Sequence, residues 1–196
     1  MVIRIAPDRL KRRRLQPEER KKEIVEAAER LLQANGAKVR VEDVVREAGV
    51  AKGTFFLYFP TWDDLLEAIR DRLVAEFDAA YPLPTEVEGP VDWPELVESQ
   101  AGAFIDFALA RRGVGEAVFH SDFAERRPLA DNGIMRLTAV ICAGQEAGAF
   151  GPVDPEPTAR LLFAVIHETA DAVADGADKQ TTVAALRTLL RRALAP

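Results

Sequence analysis

Lys52, Gly53 and Thr54 put a cation, a residue without a side chain and a hydroxyl in consecutive positions, and aromatic rings follow at Phe55, Phe56, Tyr58 and Phe59. At the start of a helix such a group suits phosphate, because unpaired backbone amides, an ammonium and a hydroxyl can converge on one anion. Arg40 stands upstream as a further cation. The chain holds no glycine-rich phosphate loop, paired-cysteine metal motif or nucleophile elbow. His120-Ser121-Asp122 gathers imidazole, hydroxyl and carboxylate, but consecutive residues of a helix point in different directions, so the run does not make a triad. The chain is expected not to be an enzyme, with no catalytic residue and no cofactor.

The elements that must hold this group in place are two short helices. Val41, Val44, Val45 and Ala48 recur at i, i+3, i+4 and i+7, one apolar face of a first helix. Gly49 follows, where a turn needs a positive φ that residues with a Cβ adopt reluctantly. The second helix then opens at Lys52. This is the spacing of a helix-turn-helix, whose second helix is placed on DNA. Arg40, Lys52, Gly53, Thr54, Phe56 and Tyr58 are therefore the expected DNA-binding residues, with Phe55 and Phe59 turned to the core. Phe56 admits two readings, a contact to a thymine methyl or packing.

Charge distribution agrees with that placement. The 196 residues carry a formal −6, a poor first sign of a DNA binder. Residues 1–60, however, hold 14 Lys and Arg against 9 Asp and Glu, a net +5, whereas the remainder holds 12 against 23, a net −11. Lys11-Arg12-Arg13-Arg14 is the densest basic run and reads either as an arm along the phosphate backbone or as a solvated tail. A 48% hydrophobic content without runs of alternating β-branched residues predicts an all-α protein with a sizeable core. The single cysteine, Cys142, and the lack of an apolar export segment at the start predict a cytoplasmic protein. No stretch approaches the roughly 20 apolar residues of a membrane helix.

Four regions are expected: a basic arm over 1–16, a three-helix DNA-binding domain over 17–60, a connecting helix over 61–80 and a helical domain over 81–196. The first helix should start at Pro17 and stop at Asn35-Gly36, with Ile24, Ala27, Ala28, Leu31 and Leu32 facing inward. Thr61 should cap the connecting helix, whose length of about 28 Å reaches out of the small domain. Beyond a proline-rich linker at Tyr81 to Pro94, helices are expected near Pro94 to Leu109, Gly115 to Ala124 and Leu129 to Ala147. Two more follow, one starting at Asp154-Pro155 and the last carrying Val183, Leu186, Leu189, Leu190 and Leu194. This terminal pair can dock on its copy in a second chain as a four-helix interface, or simply pack within the domain.

Over Pro17 to Tyr81 the chain resembles the DNA-binding domain of TetR-family transcriptional regulators. The resemblance rests on Ile24-Val25-Glu26-Ala27-Ala28, on Val44 with Ala48-Gly49-Val50, and on Gly53 to Pro60 followed by Leu65-Leu66. It implies an all-α homodimer with an N-terminal helix-turn-helix and a C-terminal helical ligand-binding and dimerisation domain. The third helix would enter the major groove of double-stranded operator DNA, and a small-molecule effector would release a repressor from it. The chain departs from the family pattern in three places. Phe56 replaces a common Tyr, Trp62 a common Lys, and Arg40 a common Ser or Thr cap. An alternative that Phe56 and Trp62 support is a helical interaction protein that keeps the fold but has lost operator binding.

For an effector, Phe104, Phe107, Phe119, His120, Phe123, Met135, Phe163 and His167 could line an apolar cavity between helices, although packing in a core is the simpler role for each ring. The two histidines lie near Asp122, Glu168 and Asp171. No cluster with zinc spacing occurs, so no metal is expected.

Overall fold

The computed structural model describes residues 16–82, 90–127 and 132–196, and among them every regular element is helical. The helices are α1 (Pro17–Asn35), α2 (Val41–Glu47), α3 (Lys52–Tyr58), α4 (Trp62–Ala80), α5 (Trp93–Ala110), α6 (Arg112–Phe119), α7 (Asp122–Arg126), α8 (Asn132–Glu146), α9 (Pro155–Ala174) and α10 (Lys179–Leu194), with a 3-10 turn at Gly36–Lys38. The basic run Lys11 to Arg14 lies outside the described residues.

Local chemistry accounts for most boundaries. α1 starts at a proline, whose missing N–H no helix would have used there, and it ends where Gly36 takes φ 57°. Thr61 Oγ1 accepts from the Asp64 amide at 3.2 Å, and Asp64 accepts from the Thr61 amide at 2.8 Å, a reciprocal cap for α4. At α2 the cap is one-sided. Arg40 has no acceptor to offer, as its residue type predicts, yet Asp43 still accepts from the Arg40 amide at 3.1 Å. Gly49 sits at φ 63° in the turn between α2 and α3. The predicted helix over Gly115 to Ala124 is divided instead. Ser121 breaks it by donating to the Ala117 carbonyl and accepting from the Phe123 amide, which makes it the cap of α7 rather than part of a triad.

Two apolar cores result, and they do not follow chain order. One contains Ile24, Leu32, Val44, Phe55, Phe59, Leu65 and Ile69 from α1 to α4, together with Val114, Val118 and Phe123 from α6 and α7. The other joins α5, α8, α9 and α10 through Ile105, Ile141, Leu162, Ile166, Leu186 and Leu190. A close backbone approach brings α6 to the first core. A Cβ on Gly113 would stand 2.6 Å from the carbonyl oxygens of Leu32 and Gln33, so only glycine fits where α6 meets the end of α1. Two short helices from beyond residue 81 thus pack beneath the helix-turn-helix.

Candidate nucleic-acid interface

α3 is fastened by one edge. Phe55 and Phe59, one turn apart, are completely buried, and Phe55 meets the Phe56 ring edge-on at 5.3 Å. Burying that edge forces the opposite one outward. Lys52 and Gly53 are exposed, Thr54 and Tyr58 half-buried, and Arg40 exposed at the start of α2. Phe56 is 41% exposed and Leu57 78%, the most exposed large apolar side chain among the described residues. An apolar side chain left in water on a helix fastened by its other edge has a face suited to an apolar contact such as a thymine methyl. Leu57 was not singled out in the sequence; its signal is its position between the buried Phe55 and Phe59.

One cation of this face, Lys52, is partnered. Lys52 Nζ lies 2.6 Å from Glu42 Oε1 and 6.0 Å from the centre of the Phe56 ring. The hydrogen bond from Lys52 holds the Glu42 carboxyl below its ordinary value. At the start of α4, Trp62 turns into the first core where a Lys would have reached outward. Asp63 and Asp64 beside it would oppose a phosphate, but two arginines at the end of α7, Arg126 in its last turn and Arg127 just after it, neutralise them. Arg126 donates to Asp63 through Nε at 2.8 Å and Nη2 at 2.9 Å, and Arg127 donates to Asp64 at 2.8 Å as well as to Glu67. Arg126 is the main cause holding the Asp63 carboxyl down, whereas Thr61 and then Arg127 hold down that of Asp64.

Arg70, only 4% exposed, completes this junction. It donates to the Arg127 carbonyl and lies 4.9 Å above the Phe123 ring. The segment that carries α3 is thereby tied to α7 by charged groups over an aromatic floor.

The eight residues considered for an effector do not form one constellation. Phe104, Phe163 and His167 meet, with His167 at 4.5 and 4.2 Å from the two rings. Phe107 joins them through Phe77, which touches Phe104 at 5.8 Å and Phe107 at 5.5 Å. Phe123 is instead sealed in the first core beneath Arg70, and Phe119 packs against that core. Met135 is 66% exposed and His120 is exposed, so neither lines an enclosed site here. Phe77 on α4 is the hub of the ring cluster; Tyr81, 4.9 Å from it, was read only as the start of a linker. The half-buried rings span α4, α5 and α9, where the two cores adjoin.

His167 brings an imidazole into this cluster. Its Nδ1 faces the Phe163 carbonyl at 3.1 Å; a carbonyl can only accept, so Nδ1 carries the proton and Nε2 is left as an acceptor. Burial pushes its pKa below the ordinary 6.5, against the opposing effect of the Phe163 carbonyl. A depressed folded-state pKa means that the unfolded chain takes up the proton first. Stability should therefore fall as pH drops from about 7 through the unfolded value and on to the lower folded one. His167→Phe is expected to flatten that part of the profile, measured by chemical unfolding between about pH 7 and pH 5. An unaltered slope would mean that His167 does not titrate in the folded protein below its ordinary value.

A sequence model of a family described as bacterial regulatory proteins, tetR family, matches residues 24–69. A second, described as tetracyclin repressor-like, C-terminal domain, matches residues 100–196. The HTH-type transcriptional regulator EthR of Mycobacterium tuberculosis is 36% identical over 76 residues, which cover 38% of this chain and 34% of that protein. The chain thus spans about a third of that relative's length. EthR of Mycolicibacterium smegmatis is 27% identical over 139 residues, covering 67% of this chain and 64% of that one. The crystal structure of a TetR-family transcriptional regulator from Pectobacterium atrosepticum superposes with a TM-score of 0.73 at 23% identity, over 94% of this chain and 99% of the other, and establishes a shared fold.

Proposed function

We propose that this chain, which belongs to the TetR family of bacterial regulatory proteins, binds operator DNA through α3 and regulates transcription as a repressor released by a small-molecule effector. The observation that carries this reading is the outward face of α3. Lys52, Gly53, Phe56 and Leu57 are exposed while Phe55 and Phe59 anchor the same helix. Lys52 and Thr54 would meet phosphate or base edges, with Arg40, Gly53, Phe56 and Tyr58 beside them. Leu161, 69% exposed on α9, and Leu189, 44% exposed on α10, support a homodimer formed by these two helices. A two-fold dimer presents two copies of α3 to two half-sites about 34 Å apart.

The ring cluster of Phe77, Phe104, Phe107, Phe163 and His167 supports an effector site where the two cores adjoin. A ligand there would bear on Phe77 and so on α4, which leads to α3 in the chain. It would release DNA only by preferring one arrangement of the two cores over the other. The cytoplasm, where operator DNA lies, is the proposed location; among the described residues no helix is long and apolar enough to cross a membrane.

Electrophoretic mobility shift with duplex from the region upstream of the protein's own gene tests the reading. Retention at low ionic strength that fades as salt rises is the expected result. A second reading, an interaction protein that keeps the fold without operator binding, is favoured by the apolar exposure of Phe56 and Leu57. It predicts no retention of any duplex in the same assay.

A further inference from the structure

One ion pair on the α3 face has no packing role. Lys52 and Glu42 join the first turns of α2 and α3 across ten residues of sequence, with Nζ and Oε1 2.6 Å apart and side chains 56% and 60% exposed. Neither side chain fills the core, and α2 and α3 are already held together by Val44 and Phe55 within it. What the pair does is occupy the ammonium. A duplex offers that ammonium another anion, so the carboxylate and a phosphate compete for one cation.

We propose that Glu42 is a positioning residue that sets duplex affinity through Lys52, holding the ammonium in a neutral pair on the free protein and yielding it only when a phosphate takes the carboxylate's place. This rests on the reading of α3 as the element that meets DNA. Binding then exchanges one partner of Lys52 for another instead of gaining a contact outright. Weak sites, where the exchange is barely favourable, are disfavoured as a result. The exchange is modest in size because an exposed pair contributes little in water.

The test is a double-mutant cycle on the full chain, with a short mixed-sequence duplex as probe and affinity read by fluorescence anisotropy across a salt series. Glu42→Gln should tighten binding about threefold to fivefold per subunit near 0.1 M salt and steepen the salt dependence. In the Lys52→Ala background the same substitution should change nothing, because the group it acts through is gone. Melting temperature should fall by no more than about 4 °C for Glu42→Gln, because an exposed pair contributes little in water, and a small loss of stability does not by itself tighten binding. The proposal is overturned if Glu42→Gln binds no tighter. It is equally overturned if the gain persists without Lys52, since the carboxylate would then act by repelling phosphates directly. A wild-type chain that holds no duplex even at low salt sinks both this role and the function it rests on; a flat cycle on a chain that binds sinks this role alone.

Discussion

Phe123→Ala is expected to lower the melting temperature by roughly 6–20 °C, the largest single effect on stability foreseen here. Emptying a buried phenylalanine site costs about 3–5 kcal/mol, and in a chain of this size each kcal/mol moves the midpoint by about 2–4 °C. Phe123 is 1% exposed and shares a core with α1 to α4. Its loss also removes the ring beneath Arg70, a buried guanidinium whose Nε has no hydrogen-bond partner among the described residues. That group is poorly placed to relax into the space. Phe163→Ala should cost less, because Phe163 is only half-buried. Thermal unfolding of the two variants side by side decides the matter. A loss in Phe123→Ala no larger than in Phe163→Ala would return Phe123 to an adaptable pocket lining.

Lys52→Ala should weaken binding to any duplex about tenfold per subunit near 0.1 M salt, and flatten the dependence of log affinity on log salt by about 0.9 per subunit. A two-fold complex carries the substitution twice, so a flattening of about 1.8 is expected if both half-sites are occupied. The same titration thus counts subunits on the duplex. Because the neutralised charge is met by phosphate, the loss should be nearly uniform across sequences. A salt slope equal to that of the wild type would remove Lys52 from the phosphate backbone.

The helix-turn-helix was legible because its determinants are local. Val44 and Phe55 are buried where period and spacing put them, Gly49 takes the positive φ that its position asks for, and Thr61 caps α4 with its own oxygen. Each depends on residues within about two helical turns, so the order of side chains along the chain carries the information. The break at Ser121 was readable in principle, since a serine before an acidic first turn is a cap signal. The apolar run around it suggested one continuous helix instead.

What was not legible depends on which faces meet. Phe123 and Phe163 are alike in sequence, yet one is sealed under Arg70 and the other lies against His167. Glu42 became relevant only when its carboxylate was found beside Lys52. The order of residues by itself determined an all-α fold, the inward anchors Phe55 and Phe59 of α3 and the groups Lys52, Gly53 and Thr54 at its start, though not the exposure of Leu57, because short-range backbone preferences and the 3.6-residue period suffice for these. Only the tertiary structure decided that α6 and α7 pack under the DNA-binding helices, that Arg126 and Arg127 neutralise the acids of α4, and which rings gather around His167. Contacts between residues sixty positions apart arise from the close approach of whole helices, as at Gly113, and no local pattern encodes that approach.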